Sequence, residues 1–445
     1  MDMSNEINKN VVDNRSNIII TDEFKKAIKL FNEDKNLFIT GVAGTGKSTL
    51  LSIFKANAGK NIVILAPTGI AALNIGGSTI HSFFYFPTRL LDEDTCAKSI
   101  RFDKRRHGLF KNLSTIIIDE ISMVRADILD AIDYSLKVNR KNLLPFGGVQ
   151  MVFFGDILQL PPVVTGKELY QYFDDVYGGS YFFNAKSFSI SDYKCVQLTR
   201  IFRQKDEGFR NLLNKVRYGN INNEILERIN SRFSANKDFT DDTCITLCST
   251  NKIANEINDY RLSLLKTPVF EYEAEITGKF EQATFPTDSL LTLKVGTQVM
   301  MVKNSPLQYW VNGSIGKILS LSEDEIYVEI DGREYNVGKA KWEIIEYNYN
   351  KEINKIESEV VGTFIQYPVK LAWAITIHKS QGKTFNNICI DLGRGAFSHG
   401  QTYVALSRCT SLEGITLRKK IENRDIIVDS RVTDFIENQL KNTLS

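Results

Sequence analysis

A glycine-rich stretch near the start of the chain has the residue types that bind phosphate. Gly41 and Gly46 bracket four residues, Lys47 and Ser48 follow directly, and the stretch lies between the apolar run 37–40 and a helical pattern. Glycines let the backbone turn its N–H groups toward phosphate oxygens, and the helix N-terminus adds its positive end. The spacing is that of a P-loop, with a glycine-rich turn that binds nothing as the alternative.

The P-loop prediction assigns a nucleotide and Mg²⁺ to this stretch. Lys47 is expected to reach the β- and γ-phosphates, and Ser48 is expected to ligate Mg²⁺. The residues expected to bind the nucleotide here are Gly44, Thr45, Gly46, Lys47, Ser48 and Thr49.

Two acids, Asp119 and Glu120, directly follow the apolar run TIII at 115–118. A P-loop needs an acid at the end of a neighbouring strand to hold its metal ion. Asp119 is expected to hold Mg²⁺ through water, and Glu120 to polarise the attacking water. Acids often follow apolar strands, so the assignment depends on the P-loop that precedes them.

Three residues further along suit a motor rather than a simple nucleotide hydrolase. Gln159 in FFGDILQLPPV (153–163) lies just beyond a strand, where its side chain would face the γ-phosphate. Arg203 in LTRIFRQ and Arg408 in YVALSRC are arginines that domain closure would bring to the transition-state charge. The alternatives are a structural glutamine in a proline-bounded loop and two surface ion pairs.

Short apolar runs recur along the chain and predict the strands that position these residues. Runs this apolar indicate strands buried on both faces, as in parallel sheets, and helical patterns such as 124–139 lie between them. We therefore predict a doubly wound α/β fold. The runs are 37–40, 61–66, 115–118, 149–154, 195–198, 243–248, 371–377 and 387–392.

The region from about 290 to 370 has a different pattern of short alternating strands. Asp331-Gly332 between two such strands is a strong signal for a hairpin. We predict a small β-barrel inserted within the second α/β unit.

Length and composition limit the number of domains and the classes of function that this chain can have. A chain of 445 residues is too long for one core, and a net charge of +2 neither supports nor excludes a nucleic-acid partner. No apolar stretch is long enough to span a membrane, and the acidic, Asn-rich N-terminus lacks the features of a targeting segment, so a cytoplasmic location is expected, nucleoid-associated in a bacterium. Cys244 and Cys248 are expected to be buried thiols on one face of a strand, with a zinc site as the alternative.

Several longer segments resemble, in order, those of the PIF (petite integration frequency) DNA helicases of helicase superfamily one, a RecD-like group. The resemblance covers about 20–420 and includes the signature insert of that family at 126–148. The matching segments are APTGIAALNIGGSTIHSFF (66–84), the stretch 126–163, LKVGTQVMMVKN (293–304), VNGSIGKI (311–318), AWAITIHKSQGKTF (372–385) and GQTYVALSRCTSLEGI (400–415).

The resemblance implies two RecA-like domains that bind ATP and Mg²⁺ between them and single-stranded DNA across their tops. It places the first domain at 1–198 with a small DNA-contacting insertion at about 82–112, the second at 199–289 and 366–445, and an SH3-like barrel at 290–365. It also implies an ATP-driven 5′-to-3′ helicase that unwinds forked duplexes, RNA–DNA hybrids and G-quadruplexes, and it favours a monomer.

Loops at strand ends give the candidates for contact with DNA. Backbone N–H groups and hydroxyls there suit phosphates, and exposed rings suit bases. Core packing is the alternative for Phe83 and Phe84, and a solvated loop is the favoured interpretation of the basic cluster 104–107. The loop at 378–383 is expected to touch both DNA and ATP, through Gln381, Gly382 and Lys383 on the ATP side. The DNA candidates are Pro67, Thr68, Gly69, His81, Thr250, Asn251, His378, Lys379 and Ser380.

One feature departs from the family. Its members carry a glutamine ahead of the P-loop that reads the adenine edge, whereas Glu23 or Phe24 stands there in this chain, and the first glutamine is Gln150. Asn17, or a backbone group near Ile18, is the candidate replacement.

Two other functions stay open: a nucleotide-switched protein that clamps single strands, and a motor subunit of a larger complex.

Overall fold

The computed structural model describes residues 19–56, 61–87, 89–104, 106–204, 206–234, 244–350 and 355–444. The first α/β unit contains a six-stranded sheet in the order β3-β2-β4-β5-β1-β6, and every pairing in it is parallel. Its most apolar strands lie at the centre, as the sequence predicts for a sheet covered on both faces. The strands are β1 (Asn36–Gly41), β2 (Ile62–Ala66), β3 (Ser78–Thr79), β4 (Thr115–Ile118), β5 (Gln150–Gly155) and β6 (Tyr193–Leu198).

Helices cover both faces of this sheet. Phe24, Phe31 and Phe54 pack on one face, and Leu129 and Ile132 from the predicted helical stripe pack on the other. The doubly wound arrangement is therefore confirmed. The helices are α1 (Asp22–Asn32), α2 (Lys47–Lys55), α3 (Gly69–Ile75), α4 (Ile80–Phe84), α5 (Glu93–Ser99), α6 (His107–Asn112), α7 (Ala126–Arg140), α8 (Lys167–Tyr177) and α9 (Lys186–Ser189).

The second α/β unit begins with two helices, one strand and a third helix before the chain leaves it. Apolar side chains of the first helix, such as Phe209 and Leu213, lie in a core separate from that of the first unit. The elements are α10 (Glu207–Arg217), α11 (Asn223–Asn230), β7 (Ile245–Cys248) and α12 (Asn251–Leu264).

An insertion of antiparallel strands follows. Asp331 and Gly332, at φ 49° and 73°, form the predicted hairpin turn. Described strands run in one five-stranded, one three-stranded and one two-stranded sheet. They are β8 (Val269–Glu273), β9 (Glu275–Gly278), β10 (Leu290–Lys294), β11 (Gln298–Met301), β12 (Ile315–Leu321), β13 (Ile326–Ile330), β14 (Arg333–Asn336), β15 (Ala340–Asn350), β16 (Lys355–Gln366) and β17 (Val369–Leu371).

The insertion starts earlier than the boundary predicted at 290. β8 pairs with β10, and β9 pairs with β16, so both strands belong to the antiparallel sheets. All four residues of β9 are exposed, so the strand has no apolar alternation by which the sequence would reveal it. The SH3-like character of the insertion stays a prediction.

The chain then returns to complete a four-stranded sheet in the order β18-β7-β19-β20, again with only parallel pairings. This second parallel sheet confirms the predicted second α/β unit. The remaining elements are β18 (Ala374–Thr376), β19 (Ile388–Asp391), α13 (Gln401–Ser407), β20 (Ile415–Leu417) and α14 (Ser430–Leu444).

The last helix packs on the first unit, although the sequence assigned it to the second. Val432 and Ile436 lie in the core of the first unit, and the ring of Phe435 stacks on Phe183 with centroids 4.3 Å apart. An apolar helical stripe requires an apolar partner surface, and the phenylalanines of the first unit provide it. The order of segments along the chain does not reveal that choice.

The hairpin of β15 and β16 also reaches the first unit. The buried ring of Tyr347 lies edge-on to Phe83, with centroids 5.8 Å apart. Phe83 and Phe84 are themselves buried, so the structure supports core packing for both phenylalanines. The insertion thus contacts the first unit as well as the second, from which it emerges.

Two negative findings concern metals and membranes. Among the described residues, no group of three or more His, Cys, Asp or Glu side chains is placed to hold a metal ion, and Cys248 is a buried free thiol. No helix in the described part of the chain is long and apolar enough to cross a membrane.

Candidate nucleotide and DNA sites

A cavity of about 540 Å³ lies between the two α/β units. The first unit contributes the loop 43–49, Glu120 and Gln159, and the second contributes Gly382 and Arg408. Most residues singled out in the sequence as nucleotide-binding or catalytic therefore surround one space.

Two glycines give the P-loop its shape. Gly44 and Gly46 have φ of 83° and 87°, in the left-handed region where residues with a side chain are strained. A Cβ on Gly44 would lie 2.4 Å from Cβ of Arg203, and a Cβ on Gly46 would lie 3.0 Å from Cζ of Phe24. The loop is therefore closely packed on its outer side, and Gly46 caps α2, whose N-terminus faces the cavity.

The ammonium group of Lys47 lies over this loop. It donates hydrogen bonds to the carbonyl oxygens of Gly41 at 2.7 Å and Val42 at 3.1 Å. Burial lowers its pKa, and the charges of Asp156 and Glu120 act in the opposite direction. A cation this well buried at a helix N-terminus fits a phosphate.

The carboxyl groups of the two acids after β4 are partly buried. Burial raises the pKa of Asp119, and burial together with the neighbouring Asp119 raises the pKa of Glu120 to about 7. Ser48 and Glu120 line the cavity, and Asp119 precedes Glu120, so the hydroxyl and the carboxyl groups are of the oxygen type that Mg²⁺ prefers. The residues therefore fit the predicted ion.

The segment around Arg203 contacts both units, because it packs against Gly44 of the P-loop and bonds to residues at the end of α13. The guanidinium of Arg203 donates to Ser407 O at 3.4 Å, and the amide of Gln204 donates to Ser407 O and Cys409 O at 3.0 and 3.1 Å. Burial, followed by the charge of Arg408, lowers the pKa of Arg203 to about 9. Arg203 and Arg408 both line the cavity, so an anion bound there would compensate the two charges.

The side chain of Gln159 is held by Asp156, which is itself paired with Arg217, and the sequence analysis gave neither residue a role. Its amide donates to Asp156 Oδ2 at 3.1 Å, and the other oxygen of Asp156 accepts from Arg217 at 2.7 Å. Arg217 continues the apolar stripe of Leu213 and Val216 on α10, and an arginine on such a stripe is a signal for a buried ion pair.

The loop after β18 approaches the cavity through Gly382 and Thr384. The side-chain nitrogen of Gln381 is buried without a hydrogen-bond partner among the described residues, as a donor that serves a ligand would be. Lys383 does not line the cavity: its ammonium donates to Asn312 Oδ1 of the insertion at 2.5 Å, and burial lowers its pKa to about 8. Its ammonium therefore lies at the insertion in this structure, and its contact with the nucleotide stays a prediction.

Apolar side chains line the end of the cavity nearest α1. Ile19, Phe24 and Phe202 lie there, and the carboxylate of Glu23 accepts from Thr199 Oγ1 at 2.6 Å. Among the described residues, no glutamine lines this end of the cavity. Asn17 and Ile18 lie outside the described residues.

The DNA candidates of the first unit lie next to the insertion. Thr68 is exposed and caps α3, accepting from Ala71 N at 3.3 Å. A Cβ on Gly69 would lie 2.8 Å from Cγ2 of Thr284, so the loop that contains Pro67 and Gly69 is in contact with the insertion. His81 is partly buried, and burial lowers its pKa.

In the second unit Thr250, Asn251 and Lys379 are exposed and His378 is partly exposed, as contact with DNA requires. Ser380 is an exception. It is fully buried, and its hydroxyl donates to Ile377 O at 2.7 Å, because the short 3₁₀ turn at His378–Ser380 points this side chain inward. The assignment of Ser380 to DNA is wrong in this structure.

The basic cluster at 104–107 also differs from the favoured interpretation as a solvated loop. Arg106 donates to Phe83 O at 2.6 Å, and its guanidinium lies over the rings of Tyr85 and Phe110. Lys104 is exposed, and Arg105 lies outside the described residues. Arg106 thus packs on aromatic side chains of the first unit, to which it belongs.

Comparison with known proteins gives the family. The model of the PIF1-like helicases matches residues 19–227. An ATP-dependent DNA helicase Pif1 of Bdellovibrio bacteriovorus is 32% identical over 94% of this chain and 92% of its own length. The chain belongs to the PIF1-like helicase family. It is an ATP-hydrolysing DNA helicase that uses ATP with Mg²⁺, and the resemblance seen in its motifs is confirmed.

Solved structures of PIF1-like helicases have the same fold. Bacteroides Pif1 with ADP-AlF4 aligns with a TM-score of 0.88 at 36% identity, over 96% of this chain and 98% of that one. Bacteroides Pif1 bound to single-stranded DNA aligns with 0.69 at 38% identity, over 95% and 97%. The longer human PIF1 is 32% identical over 89% of this chain, which spans 60% of that relative.

Proposed function

We propose that this helicase moves along single-stranded DNA in the 5′-to-3′ direction and unwinds forked duplexes, RNA–DNA hybrids or G-quadruplexes. The observation that carries the motor part of the proposal is the meeting of Arg203 and Arg408 at the cavity. The direction rests on family membership, since no feature of the cavity distinguishes the two ends of a strand.

The cavity residues divide the work of hydrolysis between the two units. Lys47 would bind the β- and γ-phosphates together with the loop N–H groups, and Ser48 and Asp119 would hold Mg²⁺, which would neutralise charge on the phosphate oxygens. Glu120 accepts a proton from the attacking water. Gln159 senses the γ-phosphate, while Arg203 and Arg408 stabilise the charge that develops there.

The proposed DNA path runs across the carboxyl ends of both parallel sheets. Thr68 and Thr250 each follow a strand and cap the next helix, so their loops offer hydroxyls and backbone N–H groups to phosphates. His378 and Lys379 lie at the equivalent edge, four and three residues before Gly382 at the cavity. A change at the nucleotide can thus reach the DNA through one short loop.

A tailed-duplex assay tests the direction. A partial duplex with only a 5′ single-stranded tail should be unwound in the presence of ATP and Mg²⁺, and one with only a 3′ tail should not. Unwinding of the 3′-tailed duplex alone would refute the proposed direction. Sedimentation of the chain on a short single strand tests the proposed monomer in the same preparation, where a stoichiometry of two chains per strand contradicts it.

A further inference from the structure

A buried ion pair joins the two α/β units behind the cavity. The guanidinium of Arg217 donates to Asp156 Oδ1 at 2.7 Å, and the side chains are 4% and 0% exposed. Asp156 follows β5 of the first unit. Arg217 ends α10, whose apolar side chains pack in the core of the second unit. The pair therefore forms only when the units are in contact.

The second oxygen of Asp156 holds Gln159. Oδ2 accepts from Gln159 Nε2 at 3.1 Å and from the hydroxyl of Tyr403 at 3.4 Å. Because Arg217 fixes the rotation of the carboxylate through Oδ1, Oδ2 has one position from which to orient the Gln159 amide. Gln159 in turn lines the cavity.

The second unit also contacts the backbone of the Gln159 loop. Gly400, at φ 70°, caps α13. A Cβ at this position would lie 2.5 Å from Leu158 O and 2.6 Å from Gln159 O. The loop is thus held in two places. Arg217 acts on the Gln159 side chain through Asp156, and the start of α13 contacts the loop backbone.

The charges of the pair reinforce this contact. Burial would raise the pKa of Asp156, but the charges of Arg217 and Lys47 and the hydrogen bonds from Arg217 and Gln159 outweigh it and leave the pKa below its usual value. An ionised, buried carboxylate with charge-assisted bonds has little freedom to rotate.

We propose that Arg217 is a positioning residue for ATP hydrolysis, orienting Gln159 through Asp156. Gln159, although it belongs to the first unit, is then placed correctly only while α10 of the second unit is docked. The inference rests on the role given to Gln159 in the proposed function. It makes hydrolysis depend on contact between the units at a point separate from the arginines in the cavity.

A double-mutant cycle between Arg217 and Gln159 tests this proposal. With saturating single-stranded DNA, Arg217→Met should lower kcat about tenfold or more, close to the loss caused by Gln159→Ala, and change the KM for ATP less than about threefold. In a Gln159→Ala background, Arg217→Met should cause no further fall in kcat.

Matched variants separate positioning from folding. Lys215→Met alters an exposed residue of the same helix and should leave kcat unchanged. Arg217→Lys keeps the charge but loses the planar fork, so it should stay folded and still lower kcat. The thermal unfolding midpoint of each variant is measured in parallel, and if Arg217→Met is not folded, Arg217→Lys takes its place in the cycle.

Three outcomes would overturn the proposal. If the losses of Arg217→Met and Gln159→Ala multiply in the double variant, Arg217 does not act through Gln159. If Gln159→Ala has full activity, the role of Gln159 in the proposed function fails as well. A loss with Gln159→Ala but none with either Arg217 variant contradicts the inference alone.

Discussion

At the residue scale, the cavity contains ionisable groups whose charged forms are destabilised by burial. Lys47 is a cation whose burial lowers its pKa, and Asp119 is an acid whose burial raises its pKa. Such groups are costly unless a ligand compensates them, which is why perturbed pKa values mark functional sites.

Lys47→Ala should abolish DNA-stimulated ATP hydrolysis, because the phosphates lose their point charge. Loss of such a contact costs roughly 10³-fold or more, and the rate of phosphate release measures it. Lys25→Ala, which changes an exposed lysine of α1, is the control with expected full activity. A Lys47→Ala protein that keeps more than about a tenth of the wild-type rate would show that Lys47 has no role in a P-loop.

The base of the nucleotide should be read weakly. A bidentate amide–adenine pair discriminates by ~1–3 kcal/mol, and neither Glu23, engaged by Thr199, nor Phe24 supplies one. GTP should therefore support hydrolysis within about tenfold of ATP, measured as the ratio of kcat/KM values.

The rival to this prediction is Asn17, whose amide has a shorter arm. A preference for ATP above about a hundredfold contradicts weak selectivity. If Asn17→Ala then removes the preference, Asn17 reads the adenine edge.

At the scale of elements, parallel strands bring distant residues to one edge. The apolar runs predicted β1, β2, β4 and β5 well, because strands covered on both faces must be apolar. The loops that follow these strands then lie together, so the P-loop, the acids and Gln159 were predictable as one cluster from their positions after the strands.

Contacts across the interface were less predictable. Arg217 and Lys383 find their partners, Asp156 and Asn312, in other parts of the chain. The type of a single side chain does not reveal which distant residue it will contact. The Ser380 assignment failed for another reason, because the sequence does not show which way a short turn points its side chains.

Arg203 and Arg408, which line the cavity, should matter for ATP hydrolysis more than for ATP binding. Arg203→Ala and Arg408→Ala should lower kcat by about 10³-fold, because their charge is most useful when negative charge develops in the transition state. The Kd for ATP, measured by titration without turnover, should change far less.

A structural effect must be excluded for Arg408, which donates to Val404 O and to the hydroxyl of Ser407 at the end of α13. The thermal midpoint of each variant provides this control. If Arg408→Ala weakens ATP binding but leaves turnover at saturation unchanged, the assignment to the transition state is wrong.

At the scale of the whole molecule, the chain crosses between its parts more often than its sequence suggests. The insertion begins at Val269 and packs through Tyr347 on the first unit, and α14 returns to that unit at the end of the chain. Both contacts depend on matching apolar surfaces far apart in sequence, so the pattern of one segment does not predict them.

These crossings have a functional consequence. The Thr68–Gly69 loop touches the insertion, and the cavity takes residues from both units, so the proposed DNA site and the nucleotide site both lie where separate parts of the chain meet. A protein that only clamps single strands has no need of Arg203, Arg408 and Gln159 at one cavity. The arrangement favours a motor over a nucleotide-switched clamp.

Single-turnover unwinding of a forked DNA by the purified chain alone tests that claim most directly. The chain is bound to the fork, ATP and Mg²⁺ are added together with a trap for free protein, and strand separation is followed in time. We expect separation with ATP and none with Lys47→Ala or a non-hydrolysable analogue. Tight binding of the fork and ATP hydrolysis without strand separation would contradict the account and favour a nucleotide-switched clamp.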